Sequence, residues 1–405
     1  MSDVRDFDYD QDLAAVKRIW REVGWIDSEK DAAGLDDFFS VGRTRVGLIN
    51  DQPECSVHTV QGTVQLNQTG LSLCAVTAVT TSRIARGKAF ARRLTAEQLI
   101  HAHGQGAQAA ALGMFDQGFY DQLGFGTGAY EHLFTIDPST LNVNAKVPAP
   151  LRFGMEHASE LHAAMLKRCK VHGAIDLLEP ALFKAELSFA DQFTALGYRD
   201  ANGAISHFLV LENKGEHGPD RVLMWAYQDT EQLMQLLGLL KGLGDQIYSV
   251  KLIEPPQLQL QALLKRPFRQ RVMTKDSEHA NEAKTLAWWQ MRLLDVPAGV
   301  AALHNTPVST EFIAHIDDPL SEYAEHPVCG GRYRIVLGER CYAERVEEAA
   351  SADLHCGIGA FSRWITGVAP ASSLALTDDF TLGVELAGEL DAAVNLPRPV
   401  PGWDF

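Results

Sequence analysis

The sequence predicts a mixed α/β protein built from three successive blocks, and three features of the first block carry this prediction. The apolar run LSLCAVTAV, from Leu71 to Val79, is bounded by polar residues and is typical of a buried strand. A basic turn containing Gly87 follows the strand and opens a helix, which we predict from about Lys88 to His103. A second apolar run, from Ala109 to Phe115, predicts the next strand.

The composition is typical of a soluble globular protein. The chain has 405 residues, of which 46% are hydrophobic and 22% charged, so it has room for two or three domains with their own cores. The apolar segment LMQLLGLLKGLG is interrupted by Gly238, Lys241 and Gly242, and falls short of the roughly 18 residues that span a bilayer. The start, MSDVRDFDYDQD, is acidic and lacks the basic-then-apolar order of a secretion signal. We therefore expect a cytoplasmic protein with no membrane partner.

Cysteine spacing and net charge exclude other classes of protein. The six cysteines are scattered and show no C-x-x-C spacing, and no H-E-x-x-H occurs among the 14 histidines, so we expect neither disulfides nor a metal site. The net charge of −16, from 52 acidic and 36 basic residues, disfavours nucleic acid as a partner. An acidic protein concentrates cationic small molecules near its clefts, although the charge also serves solubility alone.

The second and third blocks follow a turn-rich linker near residues 136–150. The second block predicts a β-hairpin (residues 203–211 and 221–227), then a helix and a strand, in the order of the first block but without a basic glycine turn. The third block begins around residues 287–297, where Asp295 can cap a helix that holds Pro297 in its first turn, and continues as a small α+β domain. We place the domains at residues 1–147, 148–290 and 291–405.

The first block is suited to binding a polyanion. A helix N-terminus directs free N–H groups and the positive end of its dipole at one spot, and small residues let a phosphate approach. With the second strand and the motif FYDQLGFG (Phe119–Gly126), this arrangement resembles the core of GNAT-superfamily N-acetyltransferases, which hold the pyrophosphate of acetyl-CoA on the pattern R/Q-x-x-G-x-G/A. One register places Gly87 and Ala89 on the small positions and Ile84 on the usual Arg or Gln. A second register restores Arg86 but places Ala89 on the central glycine.

The whole chain resembles a narrower group, the Eis (enhanced intracellular survival) family. Two tandem GNAT-like domains, the junction WWQMRLLDVP (Trp288–Pro297) and a C-terminal domain similar to sterol carrier proteins carry this resemblance. It implies a homo-oligomer, specifically a hexamer.

The resemblance implies a donor site for acetyl-CoA and no metal. Ala78 and Val79 would offer backbone groups to the pantetheine arm and the thioester. Ala85, Arg86, Gly87, Lys88 and Ala89 would carry the pyrophosphate.

The resemblance also implies catalytic groups. Tyr120 holds the place of the tyrosine that protonates the departing sulfur in many GNATs, or it is simply a packed aromatic residue. In the Eis family the acid is the tyrosine directly after the glycine. This chain has Phe125 there, which has no hydroxyl proton to donate. The family's general base is the terminal carboxylate, here that of Phe405. Trp25, Asp27 and Asp404 would bind a cationic amine, through an aromatic wall and two anions.

These observations predict an acetyl-CoA-dependent N-acetyltransferase that acts on primary amines of a cationic acceptor. An aminoglycoside-like polyamine is the first candidate acceptor, and a lysine side chain the second. Two alternatives remain: a CoA-binding regulatory protein with impaired catalysis, and a lipid-binding module in the C-terminal domain.

Overall fold

The first segment of the chain alternates strands and helices as predicted. The computed structural model describes residues 3–144, 146–215, 217–265, 281–347 and 351–405. The elements of the first segment are β1 (Val4–Asp6), α1 (Tyr9–Glu22), α2 (Glu29–Phe39), β2 (Arg43–Ile49), β3 (Gln52–Leu66), β4 (Thr69–Thr81), α3 (Phe90–Gly104), β5 (Ala109–Gly113), α4 (Gln117–Asp121), β6 (Gly126–Thr127) and β7 (Glu131–Ile136). The predicted strand–turn–helix–strand unit is therefore confirmed as β4, α3 and β5.

The middle and last segments complete the fold. The middle segment contains β8 (Leu151–Phe153), α5 (Ala158–Leu166), β9 (Ile175–Leu177), α6 (Pro180–Phe189), β10 (Phe193–Arg199), β11 (Ile205–Glu212), β12 (Asp220–Ala226), α7 (Thr230–Gly242), β13 (Val250–Ile253) and β14 (Glu282–Leu286). The last segment contains β15 (Trp289–Leu293), α8 (Val296–Ala301), β16 (Thr310–Asp317), β17 (Gly331–Leu337), β18 (Tyr342–Arg345), β19 (Leu354–Gly357), α9 (Ile358–Ile365), α10 (Ala371–Thr377), β20 (Phe380–Leu382) and α11 (Val384–Ala393). None of the helices described here is long and apolar enough to cross a membrane.

The first sheet contains the pair of parallel strands around which the candidate site is built. Its order is β1-β2-β3-β4-β5-β15-β6, with β9 paired to β3. Helix α3 connects β4 to β5, whose parallel pairing runs from Leu73–Ala109 to Val76–Leu112. Strand β4 continues to Thr81, so its last residues have no partner in β5. That unpaired edge opens a cleft beside the N-terminus of α3.

The second sheet repeats this plan, with the order β14-β7-β13-β12-β11-β10-β8. The predicted hairpin is confirmed as the antiparallel pair β11–β12. Strands β12 and β13 are parallel and are connected by α7, as β4 and β5 are by α3. Strand exchange crosses both predicted internal boundaries, because β7 pairs in the second sheet, while β9 and β15 pair in the first. The boundaries at residues 147 and 290 remain a prediction.

The C-terminal segment forms a sheet of its own, with the order β18-β17-β16-β19-β20. Asp295 caps α8 as predicted, by accepting a hydrogen bond from the Ala298 N–H at 2.9 Å. In the interior, the ring of Trp364 packs against Phe312, Phe361 and Phe380, with centroids 5.5–6.4 Å apart. All four rings are buried and form part of the packed interior of this segment. The mixed α/β fold is confirmed, and the likeness of this domain to sterol carrier proteins remains a prediction.

Candidate active site

A cavity of about 1210 Å³ lies where β4 separates from β5. It is lined by residues of the end of β4, the following turn, the first turn of α3, the end of β5, α4, α6 and the last two residues of the chain. Among the predicted site residues it brings together Trp25, Ala78, Val79, Ala85, Arg86, Gly87, Ala89, Tyr120, Asp404 and Phe405. Lys88 and Asp27 are both exposed and lie outside its lining.

A β-bulge in β4 shapes the cavity wall. The register with β3 shifts between Ser56 and His58, and Ala78 adopts a φ of +51°. A bulge leaves one residue unpaired and redirects the backbone beside it. Ala78 and Val79 therefore present main-chain groups to the cavity at the position where the sequence predicts the thioester.

The turn before α3 has the features of a phosphate cradle. Gly87 has a φ of +75°, and a side chain added there would meet no atom within 4 Å. Ala89 precedes α3 with a φ of +57°, and no side chain caps the helix. The first N–H groups of a helix have no partner within the helix, so those of α3 remain available to a ligand. Gly87 and Ala89 both hold the left-handed conformation that favours glycine, so the backbone geometry is compatible with either register.

Helix α7 holds in the second sheet the place that α3 holds in the first, but its N-terminus is capped by a side chain. The Asp229 carboxylate accepts a hydrogen bond from the Gln232 N–H at 2.8 Å and so caps the N-terminus of α7. A carboxylate at this position occupies an anion site and repels a phosphate. The prediction of a second block without the polyanion turn agrees with this cap.

The basic side chains around the cradle differ in their partners. Arg83 is tied to the end of α1, since its N–H donates to Glu22 Oε1 at 2.6 Å and its guanidinium to the Glu22 carbonyl at 3.5 Å. Arg92 donates to Gln122 Oε1 at 3.3 Å. Arg86 lines the cavity, is exposed, and forms no ion pair with the residues that the structure describes. Arg86 is therefore the side chain best placed to meet a diphosphate.

Tyr120 and Phe125 occupy different environments. Tyr120 lies on α4, lines the cavity and is 6% exposed. Burial, with a smaller contribution from Asp116, raises the pKa of its hydroxyl to about 12, so the hydroxyl keeps its proton at neutral pH. Phe125 is 2% exposed, lies outside the cavity lining and packs its edge against the Tyr120 ring at 6.1 Å. Of the two, only Tyr120 is positioned to give a proton to a ligand.

The junction strand β15 holds α4 in place. Gln290 is fully buried, and its amide donates to Asp121 Oδ1 at 2.6 Å, one residue beyond Tyr120. Arg292, buried in an ion pair with Asp318, donates to the Leu123 carbonyl. The WWQMRLLDVP junction thus completes the first sheet and fixes the segment that carries Tyr120.

The chain end enters the same cavity from the other side of the cleft. A Cβ built on Gly113, at the end of β5, would lie 2.8 Å from the Phe405 main-chain oxygen, so the glycine lets the terminal carboxyl group approach the strand. The Asp404 carboxylate lies 3.4 Å from Arg221 and keeps 43% of its surface accessible. Desolvation raises the pKa of Asp404 above its usual value, and Arg221 opposes the rise.

Two further carboxylates line this part of the cavity, Glu186 from α6 and Glu212 from β11. Glu212 is paired with Lys214 at 3.0 Å. Burial raises the pKa of Glu186 well above its usual value, and the hydrogen bond from Trp403 opposes the rise. An ammonium group beside Glu186 would restore its charge. The cavity therefore has Arg86 and Arg92 at the α3 end, and at the chain end it has several carboxyl groups with Arg221 beside one of them.

The acceptor side differs from the prediction in part. Trp25 is 42% exposed and packs against Trp20 and Phe115, with ring centroids 5.0 and 6.4 Å apart. Asp27 does not join it, because Asp27 precedes the Ser28 cap of α2 and its side chain lies outside the cavity lining. Glu186, Glu212 and Arg221 were not predicted, since they come from the second block and no local motif marks them. Among the described residues, no group of three side chains is arranged to hold a metal ion.

Glu131, at the start of β7, is a buried carboxyl group whose ionisation makes the stability of the protein depend on pH. Its side chain is 4% exposed and accepts a hydrogen bond from Trp288, which lines the cavity. Its Oε2 atom has no hydrogen-bond partner in the described part of the chain. Desolvation, together with Asp404, raises its pKa from 4.5 to about 7. The folded state then binds more protons than the unfolded state between these values, so stability falls as pH rises through this window. Above pH 7 the ionised Glu131 carboxylate lowers the free energy of unfolding by up to about 3 kcal/mol.

We expect Glu131→Gln to be more stable than the parent at pH 8, by up to about 3 kcal/mol, and no more stable at pH 4.5. The amide keeps an acceptor for Trp288 and removes the titration. Urea unfolding at both pH values measures the difference. An equal change in the free energy of unfolding at both pH values would contradict the raised pKa of Glu131.

Solved structures share this fold over nearly the whole chain. They include a conserved protein of unknown function and probable N-acyltransferase from Enterococcus faecalis V583 (TM-score 0.81, 15% identity, 99% of each chain). They also include a GCN5-related N-acetyltransferase from Kribbella flavida (TM-score 0.76, 17% identity, 99% of this chain and 98% of that one) and Eis1 from Mycobacterium abscessus (TM-score 0.76, 15% identity, all of both chains). No family model and no curated protein matches the sequence. The resemblance predicted from the sequence is confirmed at the level of the fold: this chain has, over its whole length, the fold of the GCN5-related N-acetyltransferases, Eis1 among them.

Proposed function

We propose that the protein is an acetyl-CoA-dependent N-acetyltransferase that acts on primary amines of a cationic acceptor. The single observation that carries this proposal is the composition of one cavity. An uncapped helix N-terminus with free arginine lies at one end of it, and carboxyl groups with the chain's own terminus lie at the other. A protonated tyrosine lines the same cavity.

The donor would be held mainly by main-chain groups. The N–H groups of Gly87 and Ala89 and those of the first turn of α3 would be offered to the diphosphate, and Arg86 adds charge. The N–H groups of Ala85 and Lys88 instead donate to the carbonyls of Ser82 and Ala85 and help to hold the turn. The bulge at Ala78 and Val79 offers backbone groups to the pantetheine arm and the thioester carbonyl. Acetyl-CoA supplies the activated acyl group.

The acceptor amine would be held and deprotonated at the chain end. Carboxyl groups of Phe405, Asp404 and Glu186 attract an ammonium ion, and Trp25 offers a ring face to it. The Phe405 carboxylate first takes one proton from the ammonium group, directly or through water, and the neutral amine then attacks the thioester carbon. The C–S bond breaks as the Tyr120 hydroxyl gives its proton to the sulfur. The second proton lost by the nitrogen passes through water to the tyrosinate and restores Tyr120.

We expect Tyr120→Phe to lower kcat by about 10²-fold at pH 7, because the sulfur then leaves as an unprotonated thiolate. Since burial raises the pKa of this tyrosine to about 12, activity of the parent should not fall through loss of this proton below about pH 10. The matched control is Tyr248→Phe, a half-exposed tyrosine outside the cavity. Full activity of Tyr120→Phe would assign the proton to water.

The proposal as a whole is tested by thiol release from acetyl-CoA with polyamines, aminoglycosides and lysine peptides as acceptors, alongside calorimetric binding of acetyl-CoA. Turnover with a cationic amine is the expected result. Tight acetyl-CoA binding without turnover would favour a CoA-binding regulatory protein instead, and the absence of both would overturn the proposal. The cytoplasmic location remains a prediction from the sequence, and the hexamer remains a prediction from the resemblance.

A further inference from the structure

The last residues of the chain lie against the middle segment. The Val400 N–H donates to the His172 carbonyl and the Pro401 carbonyl accepts from the Ile175 N–H, both at 2.9 Å. Gly173 permits this approach, because a side chain there would lie 2.5 Å from the Val400 nitrogen. The tail thus reaches the cavity along a track that the middle segment provides.

Trp403 is inserted between α5 and α6 at the end of this track. It is 5% exposed, and its indole N–H donates to both oxygens of Glu186, at 3.1 and 3.2 Å. Its ring packs against Phe183 and His162, with centroids 6.0 and 5.8 Å away. The Arg168 guanidinium lies 5.8 Å from the ring centroid.

The walls of this tryptophan site are themselves fixed. Arg168 forms a buried ion pair with Asp176 and donates to the Ile175 carbonyl at 2.6 Å. His162 bonds to the Leu177 carbonyl at 2.9 Å. A buried aromatic residue whose N–H is hydrogen-bonded moves little in such a site. An ordinary chain end, by contrast, frays.

Two residues separate this anchor from the chain terminus. Fully extended, they span at most about 7 Å, so the docked indole restricts the terminal carboxyl group to a small volume beside Gly113. Of the last two residues, Asp404 has a side-chain contact of its own in the described part of the chain. Its carboxylate lies 3.4 Å from Arg221, and both side chains are nearly half exposed. Exposed pairs of this kind contribute little, on the order of 1 kcal/mol or less.

We propose that Trp403 and its acceptor Glu186 are positioning residues, which dock the chain end so that the Phe405 carboxylate meets the acceptor amine. In this arrangement the middle segment, whose own anion site is closed by Asp229, contributes to catalysis by holding the tail. The inference rests on the proposed function, because it gives the terminal carboxylate a task. The docking itself is a structural property that is measured without any acceptor.

The first measurement therefore needs no turnover. The release of Phe405 by a carboxypeptidase is compared in the parent, Trp403→Ala, and Trp364→Phe as a buried tryptophan control from the C-terminal core. We expect release at least tenfold faster in Trp403→Ala and unchanged in Trp364→Phe while both stay folded by circular dichroism. Equal release in all three would overturn the anchor, whether or not the protein is an acetyltransferase.

The second measurement separates positioning from substrate binding. Trp403→Phe keeps an aromatic ring in the site, leaves Glu186 in the cavity, and removes the N–H bond together with a small part of the ring packing. We expect a fall in kcat of roughly tenfold with the Kd for acetyl-CoA within twofold. The same substitution made in a Glu186→Leu background should have no further effect, because its partner is gone. Additive losses, or an unchanged kcat in Trp403→Phe, would overturn the role of this hydrogen bond.

Discussion

Replacing Ala89 with aspartate is expected to raise the Kd for acetyl-CoA by roughly 10²-fold, about 2.7 kcal/mol. Ala89 lines the cavity directly before α3, with a φ of +57° that aspartate adopts more readily than alanine. A carboxylate at this point would lie beside the bound diphosphate, where a unit charge at close range costs a few kcal/mol. The substitution places a carboxylate at the N-terminus of α3, as Asp229 does at α7. Calorimetric titration with acetyl-CoA measures it.

The matched control for this substitution is Ala89→Asn. Asparagine has the same shape and the same tolerance of the left-handed conformation, but it carries no charge. We expect its Kd to stay within a few-fold of the parent, and both variants to unfold at the same urea concentration within error. Equal losses for Asp and Asn would point to a steric effect, and no loss for either would place the diphosphate elsewhere.

The second large effect is expected at the other end of the cavity. A three-residue glycine–serine extension after Phe405 should lower kcat by about 10²-fold, since it replaces the terminal carboxylate by an amide and alters no side chain. The Kd for acetyl-CoA should stay within twofold, because the donor cradle lies at α3. Single-turnover and steady-state kinetics separate these effects.

The control for the extension is the same peptide added to the other end of the chain. That variant should keep the parent kcat. Unchanged kcat after extension at Phe405 would remove the terminal carboxylate from the mechanism, and the anchoring role of Trp403 would then have no catalytic purpose.

The donor half of the site could be predicted from the sequence because it is local. Ala78, Gly87 and Ala89 lie within twelve consecutive residues, and a strand, a turn and a helix N-terminus fix their backbone together. The bulge itself was not predicted, since its cause is a register shift against β3. Local patterns thus located the segment that lines the cavity, but not its detailed conformation.

The acceptor half could not be read in this way. Glu186 and Glu212 reach the cavity from α6 and β11, more than 60 residues from any donor residue, and each looks like an ordinary surface carboxylate in the sequence. Asp27 follows Trp25 by two residues, but the turn before α2 directs only Trp25 to the cavity. Side-chain direction in a loop depends on packing that periodicity does not encode.

Strand exchange escaped prediction for a related physical reason. The pattern of one strand does not specify which sheet it joins, so the partners of β7 and β15 could not be read from their own residues. β15 pairs with β5 and β6, and through Gln290 and Arg292 it holds the turn that carries Tyr120. The junction motif therefore serves the active site of the first sheet rather than only linking two domains.

The central claim is that free main-chain amides before and within the first turn of α3 bind the diphosphate of a thioester donor. A crystal structure with acetyl-CoA bound tests it most directly. We predict diphosphate oxygens within hydrogen-bond distance of the N–H groups of Gly87 and of residues 89–92, and the thioester beside Ala78. A donor bound elsewhere, with those amides bonded to other parts of the protein, would contradict the account.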